Sequence, residues 1–338
     1  MQRSGLVMML CSFFMGCAGQ SLPSEAPSIP ELVGFESESA VATKATLSSD
    51  EVFGISSEMR NFVHALVGPR DLKRERLKKL ERVVHQRDAL GIEYDANATL
   101  TVRETFRQKR GNCLSLSLMF AALAREIGIE AEFQEVSVEP FWDQRDGAVF
   151  STRHINVVGR LPRGHYVLDF YMARESRTPR PMRKLSDAEA IAQYYNNIGA
   201  NALADGDYGL AYSHFVAAID LAPEVSYFWS NLGVLLNRNG QASAAENLLD
   251  YAVALDSSNV SAYSNLAGIY QNSGREQLAT KVLANIRLRQ RKNPFFHFAE
   301  AEKQLEQGSA ARANTSDHGE TAELANSHCS SGISADRD

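Results

Sequence analysis

The stretch RGNCLSLSLMFAALAREIG, residues 110–128, decides how the central part of the chain folds. Residues 113–127 are apolar or small at almost every position, which predicts a helix buried on all sides. Gly128 follows the helix, as glycine commonly does at a helix C-terminus. Cys113 therefore stands at the first position of a buried helix, and Gly111 just before it permits a sharp turn of the backbone.

The residues on either side of this helix predict the rest of the domain. Residues 56–88 have the pattern of amphipathic helices. After the helix come three short runs typical of strands: AEFQEVSV at 131–138, HINVV at 154–158 and HYVLDF at 165–170. An apolar helix followed by strands indicates an α+β domain, which we place at residues 46–185.

Cys113 is the candidate nucleophile of this domain. A helix N-terminus carries about half a unit of positive charge, which stabilises a thiolate relative to a thiol. The alternative is a small core residue, which is the commoner use of a lone cysteine. The backbone N–H of Cys113 is a natural donor to an oxyanion, and Gln108 and Asn112 are candidates for a second donor.

The last two predicted strands suggest partners for the thiol. Residues 159–164 join them and carry proline and glycine, which favours an antiparallel hairpin. Symmetric pairing about residues 161–162 places His154 opposite Asp169, with Cβ atoms about 5 Å apart. The carboxylate would orient the imidazole, whose other nitrogen would activate a thiol; the alternative is a surface ion pair. His165 is a rival base, but it lies about 13 Å from Asp169 along the same strand.

These residues resemble the transglutaminase-like core, a papain-like Cys-His-Asp fold. The resemblance covers residues 90–175 and includes Gly-x-Cys at a helix start, the run ALAREIGIEAEF, a histidine and a strand that ends in Leu-Asp. It implies that Cys113 is the nucleophile, His154 the general base and Asp169 the orienting carboxylate. It also implies attack on a carboxamide or peptide carbonyl through a thioester, with proteolysis, deamidation and cross-linking all open.

The chain departs from that family pattern at two places. An aromatic residue often follows the family's histidine, whereas this chain has Ile155 and Asn156. Proline often follows the aspartate, whereas this chain has Phe170. Details of the substrate pocket are therefore not carried over.

Residues 190–308 repeat with a period of 34 residues, which predicts an all-α superhelix. Small residues recur in two columns and aromatic residues in a third: Gly199, Gly233 and Ala267; Ala211, Ala245 and Ala279; Tyr195, Trp229 and Tyr263. The pattern resembles tetratricopeptide repeats, with three repeats and a capping helix at about residues 295–307. Residues 309–338 are predicted to be disordered.

One column of the repeats suggests a function. Asn197, Asn231 and Asn265 occupy the same position in the three repeats, so a regular superhelix would stack their amides in a ladder. Such amides both donate and accept hydrogen bonds, and so suit an extended peptide backbone. The alternative is that asparagine is simply common in this column of the repeat family.

The N-terminus has the pattern of a targeting segment. Arg3, an apolar run at residues 6–15 and Gly16 predict a signal peptide over residues 1–16. The residues around Cys17 resemble a bacterial lipobox, which implies acylation of Cys17; the alternative is an ordinary signal peptide cut elsewhere. Residues 17–45 are rich in Ser, Pro and Glu, which predicts a flexible tether. The resemblance implies a lipid anchor at the periplasmic face of the outer membrane, and no other membrane contact is expected.

Composition narrows the class of function. The chain has 338 residues, of which 44% are hydrophobic, enough for two packed domains. Lys and Arg number 35 against 41 Asp and Glu, so the net charge is −6, which argues against a general nucleic-acid-binding surface. The sequence contains neither a zinc motif nor a glycine-rich nucleotide loop, so we expect no metal and no cofactor.

Two hypotheses from different classes follow. The favoured one is a lipid-anchored, cysteine-dependent enzyme of the cell envelope, whose repeats bring a protein or peptide substrate to Cys113. Hydrolysis is the preferred outcome because water is abundant. The alternative is a non-catalytic adaptor, in which a degenerate core only supports the repeats and needs no reactive thiol.

Overall fold

A computed structural model describes residues 25–34, 47–85, 90–136, 142–145, 148–151, 154–170 and 182–290. The described chain forms an α+β domain followed by an all-α array of helix pairs, as predicted. Four predicted features lie outside the described residues: the signal peptide, the lipidation site Cys17, the capping helix and the C-terminal tail. No described helix has the length and apolar character needed to cross a bilayer.

The described part of the α+β domain contains five helices and eight short strands. The helices are α1 (Ser49–Phe53), α2 (Ser57–Leu66), α3 (Lys73–His85), α4 (Val102–Gln108) and α5 (Cys113–Glu126). The strands are β1 (Glu93–Tyr94), β2 (Arg110–Gly111), β3 (Glu132–Val136), β4 (Trp142–Arg145), β5 (Ala148–Ser151), β6 (His154–Leu161), β7 (Gly164–Leu168) and β8 (Met182–Leu185).

Helix α5 forms the centre of this domain. Every residue from Leu114 to Ala124 is buried, because helices α2 and α4 and strand β6 all pack around it. The two serines in this apolar stretch also have buried partners. Ser117 Oγ donates to the carbonyl oxygen of Ile155 on β6 at 3.3 Å, and Ser115 Oγ donates to that of Ala98 at 3.2 Å. The predicted buried helix is therefore confirmed.

The main sheet has four antiparallel strands in the order β7-β6-β3-β8. All three predicted strands lie in it. Sequence reasoning missed β8, which pairs with β3, and the separate hairpin of β4 and β5. One face of the sheet packs on α5 through Phe133, Ile155 and Val157, which are almost fully buried.

The array consists of three antiparallel helix pairs. These are α6 (Asp187–Ala204) with α7 (Tyr208–Leu221), α8 (Ser226–Arg238) with α9 (Ala242–Leu255), and α10 (Val260–Asn272) with α11 (Glu276–Gln290). Small residues in the repeated column allow close packing within each pair. A Cβ atom at Gly199 would lie 2.8 Å from the Phe215 ring, and one at Gly233 would lie 2.9 Å from Leu249. The predicted 34-residue unit is thus a helix-turn-helix.

The first helix of the array also packs on the α+β domain. Arg125 at the end of α5 donates two hydrogen bonds to Asp187, at 2.6 and 2.8 Å. Gln193 Nε2 donates to the buried Glu135 of β3 at 3.3 Å, and the Tyr195 hydroxyl donates to the Leu47 carbonyl. Helix α6 therefore belongs to the cores of both domains.

Part of the predicted tether contacts the repeats. Residues 25–34 lie against α7 and the loop between α8 and α9, and the side chain of Leu32 is buried there. This piece of residues 17–45 differs from the expected flexible linker, because its backbone groups and one aliphatic side chain have partners on the array.

Candidate active site

The backbone in front of Cys113 is held by hydrogen bonds to the preceding loop. The Asp95 N–H donates to the Gly111 carbonyl at 3.0 Å, and the Asn112 N–H donates to the Ala98 carbonyl at 2.9 Å. A Cβ at Gly111 would lie only 2.9 Å from the Cβ of Ser115, so only glycine fits without a shift. The half-buried Cys113 is thereby fixed at the first position of α5.

Asn112 is the N-cap of α5. Its Oδ1 accepts a hydrogen bond from the Ser115 N–H at 3.0 Å, and its Nδ2 donates to Thr99 Oγ1 at 2.8 Å. The other predicted oxyanion donor, Gln108, lies exposed at the end of α4, where its Oε1 accepts from Arg110 Nε at 3.3 Å. Asn112 thus serves the helix terminus, and an oxyanion role for either amide stays a prediction.

His154 joins the thiol to the carboxylate. Its Nε2 lies 2.6 Å from Asp169 Oδ1, and its side chain also hydrogen-bonds Cys113. Because Nε2 is engaged with Asp169, Nδ1 is the nitrogen left to face the sulfur. The imidazole is buried, whereas 39% of the Asp169 side chain is exposed. The three residues predicted to act together are therefore in contact.

The surroundings of His154 favour its charged form. Burial by itself would lower the pKa of the imidazole, but hydrogen bonds to Asp169 and Cys113 outweigh it and raise the pKa to about 9. At pH 7 the ring is therefore protonated beside the sulfur. An imidazolium in that position stabilises a thiolate, the form that attacks carbonyl carbon.

Comparison with known proteins identifies this part of the chain. Residues 60–177 match the family model of the Transglutaminase-like superfamily, a span that includes Cys113, His154 and Asp169. The chain contains a transglutaminase-like domain. No curated protein sequence matches the chain.

Two solved structures are similar to part of the chain. The crystal structure of MamA is 16% identical over 31% of this chain and 68% of its own, with a TM-score of 0.29. The CopN-Scc3 complex is 23% identical over 34% of this chain and 66% of its own, with a TM-score of 0.30.

The hairpin of the transglutaminase-like domain differs from the predicted pairing by two residues. Val157 pairs with Leu168 and Leu161 pairs with Gly164, so the turn is Pro162–Arg163 and not Leu161–Pro162. Side chains alternate between the faces of a strand with a period of two, so a shift of two leaves His154 and Asp169 on one face. They meet as diagonal neighbours and not as a directly opposed pair.

The rival base of the transglutaminase-like domain lies near the turn. His165 is exposed on β7 and pairs with Arg160 on β6. Its place opposite Arg160 fits the sequence expectation that His154, and not His165, contacts Asp169. Within the described parts of the chain, no three His, Cys, Asp or Glu side chains are grouped so that they could hold a metal ion.

Sequence reasoning missed two amides beside the triad. Asn156 and Gln134 pair directly across β6 and β3, on the sheet face that carries His154. Asn156 Oδ1 and Gln134 Oε1 are buried and accept no hydrogen bond from the residues that the structure describes. A signal was present, because Asn156 stands where the family often has an aromatic residue. These two buried amides therefore line the sheet face that carries His154.

The three asparagines predicted to form a ladder lie on the first helices of the three pairs. Asn231 Nδ2 donates to Asn196 Oδ1 at 2.7 Å, and Asn197 is half-buried. Asn265 Nδ2 is buried and has no hydrogen-bond partner in the described part of the chain. Strand β5 of the transglutaminase-like domain packs against α8 and α10, the helices that carry Asn231 and Asn265. The hairpin that precedes His154 in the chain thus borders the ladder helices.

Proposed function

We propose that the protein is a cysteine-dependent amide hydrolase or acyltransferase. The observation that supports this proposal best is the hydrogen-bonded row of Cys113, His154 and Asp169, with an imidazole whose pKa is about 9. A thiol used only for packing has no need of a buried, charged partner. Partial exposure of Asp169 and Cys113 supports access of a substrate to these residues.

The geometry supports a two-step reaction. The Cys113 thiolate attacks the carbonyl carbon, and the imidazolium of His154 gives its proton to the departing amine, which leaves a thioester. His154, now neutral, takes a proton from water as the water attacks the thioester, and the thiolate and a carboxylic acid are released. Asp169 stabilises the imidazolium, and the first backbone N–H of α5, which has no acceptor within the helix, faces the developing oxyanion.

Labelling of the thiol tests this function. A fluorescent electrophile that reacts with catalytic cysteines should label wild-type protein in envelope extracts and in pure form, and should not label Cys113→Ala. His165→Ala is the matched control for His154→Ala, because its histidine is exposed and far from the thiol along the sheet. Labelling that survives in His154→Ala at the wild-type rate would favour the non-catalytic adaptor instead.

We further propose that the protein is held in the cell envelope by lipid on Cys17. Cys17→Ser should leave the protein soluble or unprocessed, since the remaining chain contains no apolar segment long enough to anchor it. Membrane fractionation of wild type and variant gives the answer, with Cys11→Ser as the control for a cysteine lost from the same segment. Wild-type fractionation of Cys17→Ser would show that the lipobox assignment is wrong.

The repeats are proposed to recruit the substrate through the asparagine ladder. Replacing Asn197, Asn231 and Asn265 by Ala should reduce the free energy of binding of a protein substrate by roughly 1.5–4.5 kcal/mol. Each net hydrogen bond contributes about 0.5–1.5 kcal/mol of this loss. Cleavage of a small amide should not change, because the triad lies in the other domain. The measurement is kcat/KM for both substrates.

The matched control for the ladder is a second triple variant. Asn201, Asn237 and Asn272 lie on the same three helices but are exposed, so their replacement by Ala should change neither rate constant. Melting temperatures identify any loss of the bond between Asn231 and Asn196. Equal loss with both triple variants, or no loss with either, would remove the ladder from substrate binding.

A further inference from the structure

Side chains of the first and second repeats hold residues 30–33 of the N-terminal segment through its backbone. Tyr212 Oη donates to the Pro30 carbonyl at 3.1 Å. Gln241 uses both ends of its amide: Nε2 donates to the Glu31 carbonyl at 2.8 Å, and Oε1 accepts from the Val33 N–H at 3.1 Å. Such paired contacts to residues two apart are those that a neighbouring β-strand would make.

A single side chain anchors the segment. Leu32 is 8% exposed and belongs to the hydrophobic core of the array, whereas its neighbour Val33 is 68% exposed. Leu32 is thus the side chain that the segment buries, and Val33 beside it remains in solvent. Pro30 has no N–H, so it brings no additional donor to the contact.

The side chain of Gln241 binds the N-terminal segment and does not cap the helix that it precedes. It is the N-cap residue of α9, yet its side chain makes no capping hydrogen bond. At the equivalent position of the first repeat, Asp207 caps α7 by accepting from the Leu210 N–H at 3.0 Å. The third repeat has Arg275, which pairs with Glu246. The second repeat therefore forgoes a cap that commonly stabilises a helix by about 1 kcal/mol.

Asn239 completes the cluster around the Gln241 amide. Its Nδ2 donates to Gln241 Oε1 at 2.8 Å and to the Val33 carbonyl at 2.9 Å. The first contact fixes which end of the Gln241 amide points at Glu31 and which at Val33. The equivalent positions of the other repeats hold Asp205 and Ser273, so among the described repeats only the second carries this arrangement.

We propose that Gln241, Asn239 and Tyr212 form a peptide-binding site for an extended backbone with one buried aliphatic side chain, and that residues 29–33 are its built-in ligand. The site is separate from the asparagine ladder and from the triad. With the proposed lipid on Cys17, twelve residues before Ile29, occupancy would keep the second repeat within about 40 Å of the acylated residue.

The covalent link sets the affinity that we expect. A short flexible connection gives an effective concentration on the order of 1 mM, so a segment that is bound most of the time needs a Kd of about 0.1 mM or lower as a free peptide. Such binding is measurable by fluorescence anisotropy with a labelled peptide of residues 25–34, EAPSIPELVG. In wild-type protein the site is filled, and the added peptide should bind at least about tenfold more weakly.

The test uses a substitution in the full-length chain that releases residues 29–33 from the Gln241 site. Leu32→Asp should release the segment and give binding of the labelled peptide with a Kd of about 0.1 mM. Val33→Asp is the matched control, because it adds the same charge one residue away on an exposed side chain, and it should behave like wild type. A peptide that carries Asp in place of leucine should not bind either protein.

A second substitution separates binding from structure. Gln241→Asp supplies the cap that Asp207 supplies to α7, so the melting temperature should be kept or raised while peptide binding to Leu32→Asp protein is lost. Failure of Leu32→Asp protein to bind the peptide, or binding that survives Gln241→Asp, would overturn the proposal. So would a wild-type dimer that Leu32→Asp dissociates, because the segment would then come from a second copy. Thiol labelling in the same variants should be unchanged, whatever the outcome for the triad.

Discussion

Replacing Asp169 by Asn should leave the domain folded and lower turnover about 10²- to 10⁴-fold, the usual contribution of a general acid–base group. The amide has nearly the size of the carboxylate, and the side chain is 39% exposed, so packing changes little. The variant loses the negative charge that stabilises imidazolium. Release of a chromogenic amine from a small peptide amide measures the effect, with melting temperature as the check on folding.

The pH profile of Asp169→Asn distinguishes a catalytic from a structural effect. Asp169 raises the pKa of His154, so its loss should move that pKa below about 9. The imidazolium then loses its proton at lower pH, and the basic limb of the rate profile should shift in the same direction. Glu130→Gln, which removes an exposed carboxylate from the same domain, should shift neither rate nor profile. Undiminished turnover in Asp169→Asn would place the orienting group elsewhere.

The helices of this chain were the features that its sequence predicted best. Residues 113–127 are apolar around the whole helix, so only burial could satisfy them, and α5 is buried from Leu114 to Ala124. The repeats could be predicted equally well, because the same close contact between helices recurs every 34 residues and requires a small residue such as Gly199 or Gly233. The deciding pattern lies within a single helix in the first case and recurs along the chain every 34 residues in the second.

The pairing of strands was predicted only in part. The expected turn centre was one residue too early, which shifted the pairing of β6 and β7 by two. The prediction that His154 and Asp169 share one face of the sheet was nevertheless correct, because a register shift of two residues does not change the face on which a side chain lies. His154 and Asp169 therefore meet although the predicted register was wrong.

Features that depend on distant partners were not predicted. Strand β8 contains Arg183 and Lys184, whose partners Glu135 and Glu132 lie on β3, about fifty residues earlier in the chain. The N-terminal segment reads as a tether by composition, and its contact with Gln241 spans 208 residues. Neither partner can be identified from local pattern.

The structure connects the two proposed activities through one hairpin. Strand β5 packs on α8 and α10, and only two residues separate its end at Ser151 from His154. A substrate held along the ladder would therefore lie beside the part of the chain that positions the base. Helix α6 also ties the array to the domain, through the contacts of Asp187 with Arg125 and of Gln193 with Glu135.

The reactivity of Cys113 distinguishes a catalytic triad from a non-catalytic domain with the same fold. Iodoacetamide should alkylate Cys113 about tenfold faster at pH 7 than an ordinary thiol of pKa about 8.5, because only some 3% of such a thiol is ionised at that pH. The gain is smaller than full ionisation would give, since a stabilised thiolate is a weaker nucleophile. Cys11, Cys17 and Cys329 are first replaced by Ser so that only one thiol reports.

The pH dependence of alkylation tests whether His154 activates the Cys113 thiol. The pKa of about 9 keeps His154 positively charged beside the sulfur between pH 6 and 8, so the alkylation rate over this range should depend less on pH in wild type than in His154→Ala. In His154→Ala that partner is gone, and the rate should fall about tenfold for each pH unit below the ordinary thiol range. His165→Ala should keep the wild-type curve. If wild type and His154→Ala follow one curve, the contact between His154 and Cys113 does not activate the thiol, and the domain is a scaffold for the repeats.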